Sequence, residues 1–483
     1  MIGHAVTAVA SLALLWLVYG THLAGQSLAA VGLLVLGGTA IAVYASARSL
    51  AWKYLFPGVA GMLVFVAFPL LYTVQIGFTN YSSSHLLTEE RSREYLLEQH
   101  TFDENRLYPF TLHAGDRLLL TAPDGSRWTA RAGDGVLQPA TSDLGASLPM
   151  RDVIARRAQL MPLQLRLPDG TVLSYAGLRE FGIRVPLWTP GAAGAILEQG
   201  SGTVYAPDRD AGYFRNTAGD VLQPGFKVGI GFANYQRMLL DSDFRGPFVQ
   251  IFVWTVMFSA LTVLFSTAIG MTLAVLLEWP ALKGRALYRT LLFLPYAVPG
   301  FISILVFKGL FNQNFGEINA ILDALFGVRP AWFADPVLAR TMLLIVNTWL
   351  GYPYIMILCT GLLKSVPGDL YEASALAGAS PWVNFSRITA PLIIKPLTPL
   401  LISAFAFNFN NFVLISLLTD GRPDYLNTKL PAGTTDILVS YTYRIAFTDA
   451  GANFGLAAAI STLIFLMVAV MALVQLRLTK GTR

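Results

Sequence analysis

The sequence predicts an all-α polytopic membrane protein with about eight transmembrane helices, interrupted by one mostly β soluble insert. Of its 483 residues 54% are hydrophobic and only 13% charged, a balance outside the range of soluble domains. Apolar runs stand at about 5–20, 27–45, 54–78, 247–277, 290–310, 339–363, 395–418 and 453–476, lengths that suit a hydrocarbon core about 30 Å thick. Between the third and fourth runs the composition changes completely. The expected organisation is three N-terminal spans at about 1–79, an insert at about 80–246, and a five-helix core at about 247–483.

Taken in order, Ala5 to Gly20 reads as a span rather than a cleaved signal, because no Lys or Arg precedes it and another span follows closely. Arg48 and Lys53 lie between the second and third runs, and the positive-inside tendency puts that turn in the cytoplasm and residue 80 outside. Lys283, Arg285 and Arg289, and then Arg477, Lys480 and Arg483, fall on the same side by alternation. The N- and C-termini are therefore expected in the cytoplasm and the insert in the periplasm. In the insert, Gln164-Leu165-Arg166, Pro168-Asp169-Gly170 and Thr171-Val172-Leu173 spell a β-hairpin. Pro123-Asp124-Gly125 and Asp134-Gly135 mark further turns, while Arg91 to His100 and Met150 to Ala158 carry helical pattern. The single cysteine, Cys359, excludes an internal disulfide and reads as packing. Basic residues form no run of the kind that binds nucleic acid, and no metal-ligand spacing occurs.

The runs hold essentially no ionisable residue away from their ends, Lys308 lying near a terminus. Proton- and ion-coupled carriers need such groups or broken-helix ion sites, so the energy source is expected elsewhere. What the spans do hold is amidic and aromatic. Asn347, Leu350, Gly351 and Tyr354 fall at i, i+3, i+4 and i+7, and Phe407, Asn408 and Asn411 share another stripe. Amides and a phenol beside flat apolar rings suit a neutral polyhydroxylated ligand. They equally suit hydrogen bonding between helices.

The stretch Glu372-Ala373-Ser374-Ala375-Leu376-Ala377-Gly378, followed by Ser380-Pro381 and ending Ile388-Thr389-Ala390-Pro391-Leu392, reads as two short helices at the membrane surface. Asp369 and Glu372 suit the positive first turn of one helix, Gly378 its left-handed cap, and Ser380 with Pro381 the N-cap and N1 of the next. This stretch, within a loop at about 364–395, resembles the EAA coupling loop of ABC type I import permeases.

Taken with Gly351-Tyr352-Pro353-Tyr354 and Ala406-Phe407-Asn408-Phe409-Asn410-Asn411-Phe412, the chain resembles the larger permease subunits of bacterial maltose/maltodextrin ABC importers. The likeness is dense from about residue 247 onward and thinner before it. It implies that Asn347, Leu350, Gly351, Tyr354, Phe407, Asn408 and Asn411 contact the sugar, with Tyr296 a further candidate. It also implies that Glu372, Ala373 and Gly378 couple to an ATPase. The implied partners are a second permease subunit, an ATPase dimer, a periplasmic maltose-binding protein, and maltose or maltodextrin, all at the bacterial inner membrane. Gly300 and Ala404 depart from the family, standing where small hydroxyl residues are expected, and each lacks a possible hydrogen bond to the sugar.

No Gly-x-x-x-x-Gly-Lys-Ser/Thr loop occurs, so the chain is expected to be no enzyme and to hold no cofactor. ATP and Mg fall to the partner ATPase. The alternatives are the same machine for another neutral sugar, or, from a different class, a secondary carrier or channel. A membrane-bound enzyme would need more than His100 and His113, which stand without a nucleophile elbow or metal spacing.

Overall fold

A computed structural model describes residues 2–46, 50–131, 135–140, 144–279, 281–426, 428, 431–448 and 452–480. Arg48, Asp134 and Arg483, used above for topology and turns, lie outside them. The chain divides into two units, Asn80–Gly229 and the remainder. The insert thus ends at Gly229 rather than near 246. The residues between are drawn to the other unit by the Asn234 amide, which donates to the carbonyls of Gly77 and Thr79, both at 2.9 Å.

The helical unit opens with α1 (Ile2–Leu23), α2 (Ser27–Ala45), α3 (Leu50–Met62) and α4 (Phe68–Ile76), the last two joined through a π-turn into one rod. The insert holds α5 (Glu89–Leu97), α6 (Met150–Ala155) and α7 (Arg157–Leu160), close to the helical stretches expected. Its strands are β1 (His100–His113), β2 (Arg117–Thr121), β3 (Arg127–Arg131), β4 (Gln138–Pro139), β5 (Gln164–Arg166) and β6 (Val172–Gly177). After them come β7 (Glu180–Pro186), β8 (Trp188–Pro190), β9 (Ile196–Glu198), β10 (Val204–Asp208), β11 (Tyr213–Arg215) and β12 (Val221–Leu222).

Two antiparallel sheets result, ordered β4-β3-β2-β1-β7-β6-β5 and β12-β11-β10-β9-β8. The expected hairpin is the β5–β6 pair, with Leu165 opposite Leu173. Its turn works because Gly170 takes φ +90° and the Asp169 carboxylate accepts the Thr171 N–H at 2.9 Å. Asp124 and Gly125 turn β2 into β3 by the same device. Alternation turns Leu112, Leu118, Leu120, Leu165, Leu173 and Phe181 into one core. A second core gathers Leu96, Trp188, Ile196, Tyr205, Phe214 and Phe226.

The helical unit resumes with α8 (Ala233–Leu240), α9 (Ser242–Glu278), α10 (Arg285–Leu292), α11 (Gly300–Leu310), α12 (Glu317–Phe326) and α13 (Pro336–Leu363). It ends with α14 (Asp369–Leu376), α15 (Pro381–Val383), α16 (Ala390–Phe409), α17 (Phe412–Leu418), α18 (Leu438–Tyr443) and α19 (Phe454–Lys480). Among the described residues six helices are long and apolar enough to cross a membrane, and Ala29–Ala45 and Gly300–Leu310 are shorter apolar helices. The eight runs are therefore all present, but two of them are broken.

The run at 290–310 divides into α10, a single 3₁₀ turn at Leu294–Tyr296, and α11. Pro295 and Pro299 cannot donate to a helical ladder, so an apolar run that looked continuous leaves only 11 residues in one helix. The run at 395–418 stops at Phe409, where Asn411 leaves the helix and its side chain N-caps α17 through the Leu414 N–H. In compensation, α16 is continuous with α15 through a π-turn at Asn384–Thr389, so the helix starting at Pro381 runs unbroken to Phe409. The second of the two short helices expected at the surface is the head of a span.

Between α17 and α19 the chain folds around a buried ion pair. Arg444 donates to Asp436 and Asp424, both at 2.7 Å, and the Asp436 side chain is 0% exposed. The Gly433 N–H and the Ser440 hydroxyl complete the carboxylate's partners at 2.7 and 2.8 Å. A Cβ on Gly421 would strike that carboxyl, so the approach requires glycine there.

Candidate functional site

The helix α9 carries Thr255, Ser259, Thr262 and Ser266, spaced 4, 3 and 4, all buried. This polar stripe on an apolar helix was readable in the sequence and was missed. It meets α13 and α16 where the amides lie. Asn347 Nδ2 donates to Asn408 Oδ1 at 2.7 Å and to Thr262 Oγ1 at 3.1 Å. Its Oδ1 accepts from Asn411 Nδ2 at 3.3 Å, and Asn408 Nδ2 donates to the Ala404 carbonyl at 2.8 Å. With Asn411 Oδ1 capping α17, every amide oxygen and nitrogen of the trio is partnered. A fully satisfied buried network of this kind fixes three helices against one another. A sugar reaching Asn347 or Asn408 would have to exchange its hydroxyls for these bonds.

The remaining stripe residues divide by environment. Phe407 is 70% exposed while its neighbour Asn408 is 7% exposed, because successive helical residues point about 100° apart. Tyr354 and Tyr296 are about half exposed, and Tyr296 stacks on Phe293 with centroids 5.2 Å apart. The Ala404 carbonyl has a role of its own in receiving Asn408, and a Cβ at Gly300 would meet nothing within 4 Å. Leu350 packs in the core beside Trp254, Phe258, Val346 and Ile415. Gly351 lies so close to α9 that a Cβ would sit 2.7 Å from Ser266 Oγ. The structure therefore brings the three amides together, leaves the three aromatics open, and gives Leu350 and Gly351 packing positions. Gly351→Leu is expected to wedge α9 from α13 at a cost of ~1–3 kcal/mol. Size-exclusion chromatography of the detergent-solubilised protein should show a several-fold lower assembled peak; an unchanged peak would refute this packing role.

At the opposite end of α16 stands the loop around Glu372. Gly378 has φ +73°, and the Gly378 and Ala379 N–H groups bond the carbonyls of Ala375 and Ser374 at 3.0 Å each. These are the two bonds of a Schellman cap, which closes α14. Ser380 Oγ accepts the Val383 N–H at 3.4 Å and Pro381 occupies the first turn beyond. Tyr371 bonds Thr389 at 2.9 Å, and Ser374 donates to Asn384, so α14 is pinned to the head of the following span. Glu372, Ala373, Leu376 and Trp382 are left exposed, Leu376 by 92%. The exposed face of α14 and the following turn thus combines an acid with apolar side chains.

Fold and loop together define a multi-span permease subunit of an ABC importer, a transport component whose ATP hydrolysis is done by separate ATPase subunits. Residues 266–480 match the family model of the binding-protein-dependent transport system inner membrane component, and residues 87–231 that of the maltose transport system permease protein MalF P2 domain. The chain is 49% identical to the maltose/maltodextrin transport system permease protein MalF of Escherichia coli K12, covering 96% of this chain and 94% of that one. It is 50% identical to the protein of the same name from Klebsiella aerogenes, with the same coverage. The chain belongs to the MalF family. Among solved structures, a bacterial alginate ABC transporter in complex with an alginate pentasaccharide-bound periplasmic protein matches at 22% identity with a TM-score of 0.44. That match covers 51% of this chain and 81% of the other.

Proposed function

We propose that this subunit forms, with a second permease subunit, the path by which maltose and maltodextrins cross the bacterial inner membrane. The observation that carries the reading is the near-50% identity, across 96% of the chain, to permeases named for those sugars. In this reading an ATPase dimer docks on the loop at Glu372, Ala373 and Gly378, holding the ATP and Mg that this chain does not. A periplasmic maltose-binding protein delivers the sugar to the face bearing the insert, and both termini lie in the cytoplasm. Tyr296, Tyr354 and Phe407 offer apolar faces for pyranose rings, and Asn347, Asn408 and Asn411 offer amides for hydroxyls.

The test is uptake of labelled maltose, maltotriose and trehalose by cells in which this chain replaces their own permease. Uptake of the first two and not the third is expected. Uptake of trehalose alone would assign another neutral sugar to the same machine. Asn408→Leu, nearly volume-conserving, separates the two roles of the amides. A sugar contact predicts intact assembly with uptake reduced about tenfold, a hydrogen bond's 1–1.5 kcal/mol. Assembly and uptake falling in proportion would leave the trio a purely structural clasp.

A further inference from the structure

A groove of about 840 Å³ opens at the N-terminal ends of α9 and α13, away from the amide trio and the coupling loop. One wall is the stripe Val249, Val253 and Met257, each about half exposed, at i, i+4 and i+8 on α9. That stripe runs about 12 Å along the helix at 1.5 Å per residue. Across the groove stands Arg340. Its Nε donates to the Thr434 carbonyl at 2.8 Å and its Nη2 to Tyr425 at 3.2 Å, while its guanidinium lies 4.8 Å from the Trp254 ring centroid. Arg340 forms no salt bridge among the described residues. Asp424, which also lines the groove, is already paired with Arg444.

Two buried residues of the lining, Trp254 and Thr434, are 4% and 6% exposed, and the indole Nε1 and the hydroxyl Oγ1 have no hydrogen-bond partner. Buried polar atoms left unpaired are uncommon enough to require an explanation. Those two atoms lie beneath the groove floor, out of a ligand's reach, whereas the Arg340 guanidinium, with no carboxylate partner among the described residues, faces the groove and calls for an anionic group with acceptor oxygens. The half-exposed stripe calls for something apolar and elongated. Arg is suited to phosphate recognition by its planar array of donors. We infer that this groove binds a phospholipid of the surrounding membrane, its phosphate at Arg340 and an acyl chain along Val249, Val253 and Met257.

The experiment uses the assembled transporter, reconstituted in nanodiscs of phosphatidylethanolamine and phosphatidylglycerol, extracted into detergent and weighed by native mass spectrometry. Wild type should keep a bound phospholipid. Arg340→Gln should lose it about tenfold more readily, as fits a charge-assisted contact, and Arg340→Lys should retain part of the binding. Val253→Trp fills the acyl stripe without touching a hydrogen bond, so it tests the site even if Arg340→Gln fails to assemble. Excess inorganic phosphate should not displace the lipid. Displacement by phosphate alone would make this a small-anion site and overturn the proposal, as would equal lipid retention in wild type and Val253→Trp. A photocrosslinker at Val253 that captures the second permease subunit instead of lipid would make the groove a subunit interface and also overturn it.

Discussion

Asp436→Leu is expected to cost the helical unit ~3–5 kcal/mol, because it strands one side of Arg444 along with the Gly433 N–H in a buried site, while the Ser440 hydroxyl keeps the Ile437 carbonyl as acceptor. The thermal midpoint of the purified protein, read by tryptophan fluorescence, should fall by many degrees. The double variant Asp436→Leu/Arg444→Met should recover much of the loss, since an apolar pair leaves no buried charge behind. No recovery would show that the hydrogen bond from Gly433 dominates, and an unchanged midpoint in the single variant would refute the account. Burial pushes the Asp436 carboxyl up from 3.8 to about 6. A carboxyl whose folded pKa is raised binds its proton more readily folded than unfolded, so this group's contribution falls as pH rises from about 4 to 6. Mild acidification to pH 5 should therefore not weaken the pair's contribution to stability, contrary to the usual behaviour of an ion pair.

Glu372→Ala and Gly378→Val are expected to reduce sugar uptake at least about tenfold while leaving the chain in the membrane. The first removes a charge that would make a contact worth about 1.5–3 kcal/mol with the ATPase. The second forces a β-branched residue into the φ +73° position that closes α14, where only the backbone is strained because nothing stands within 4 Å of the new Cβ. Copurification of the ATPase with each variant is the measurement. Wild-type amounts of bound ATPase with normal uptake would detach this loop from coupling.

What the sequence disclosed follows the range of the forces involved. The cap at Gly378, the N-cap at Ser380 and the hairpin at Pro168-Asp169-Gly170 are each settled within a few residues, so local chemistry gave them away. The interruption at Pro295 and Pro299 was equally local, but the apolar composition around it argued for one span and outweighed the two missing donors. The end of α16 at Phe409 turned on Asn411, whose place on the amide stripe hid its use as the cap of α17. The amide positions were legible; their mutual bonding was not, because it depends on how α9, α13 and α16 cross. The Asp436–Arg444 pair left no trace in any periodic pattern. Its partners belong to different local structures, one preceding α18 and the other in the π-turn after it.

The unbroken helix from Pro381 to Phe409 is, mechanically, a beam of 29 residues, about 40 Å from end to end at 1.5 Å per residue. One end is bolted to the loop at Glu372 through Tyr371–Thr389 and Ser374–Asn384, and the other carries Asn408. Only the short turn at 377–380 separates α14 from this helix, and the two hydrogen bonds span it. Pro391, Pro396 and Pro399 sit inside the beam without a ladder N–H, and the π-turn at Asn384–Thr389 interrupts the regular ladder, so these are the places where the helix bends most easily. Pro396→Ala/Pro399→Ala would restore two of the missing ladder donors and stiffen the middle of the helix without altering either end.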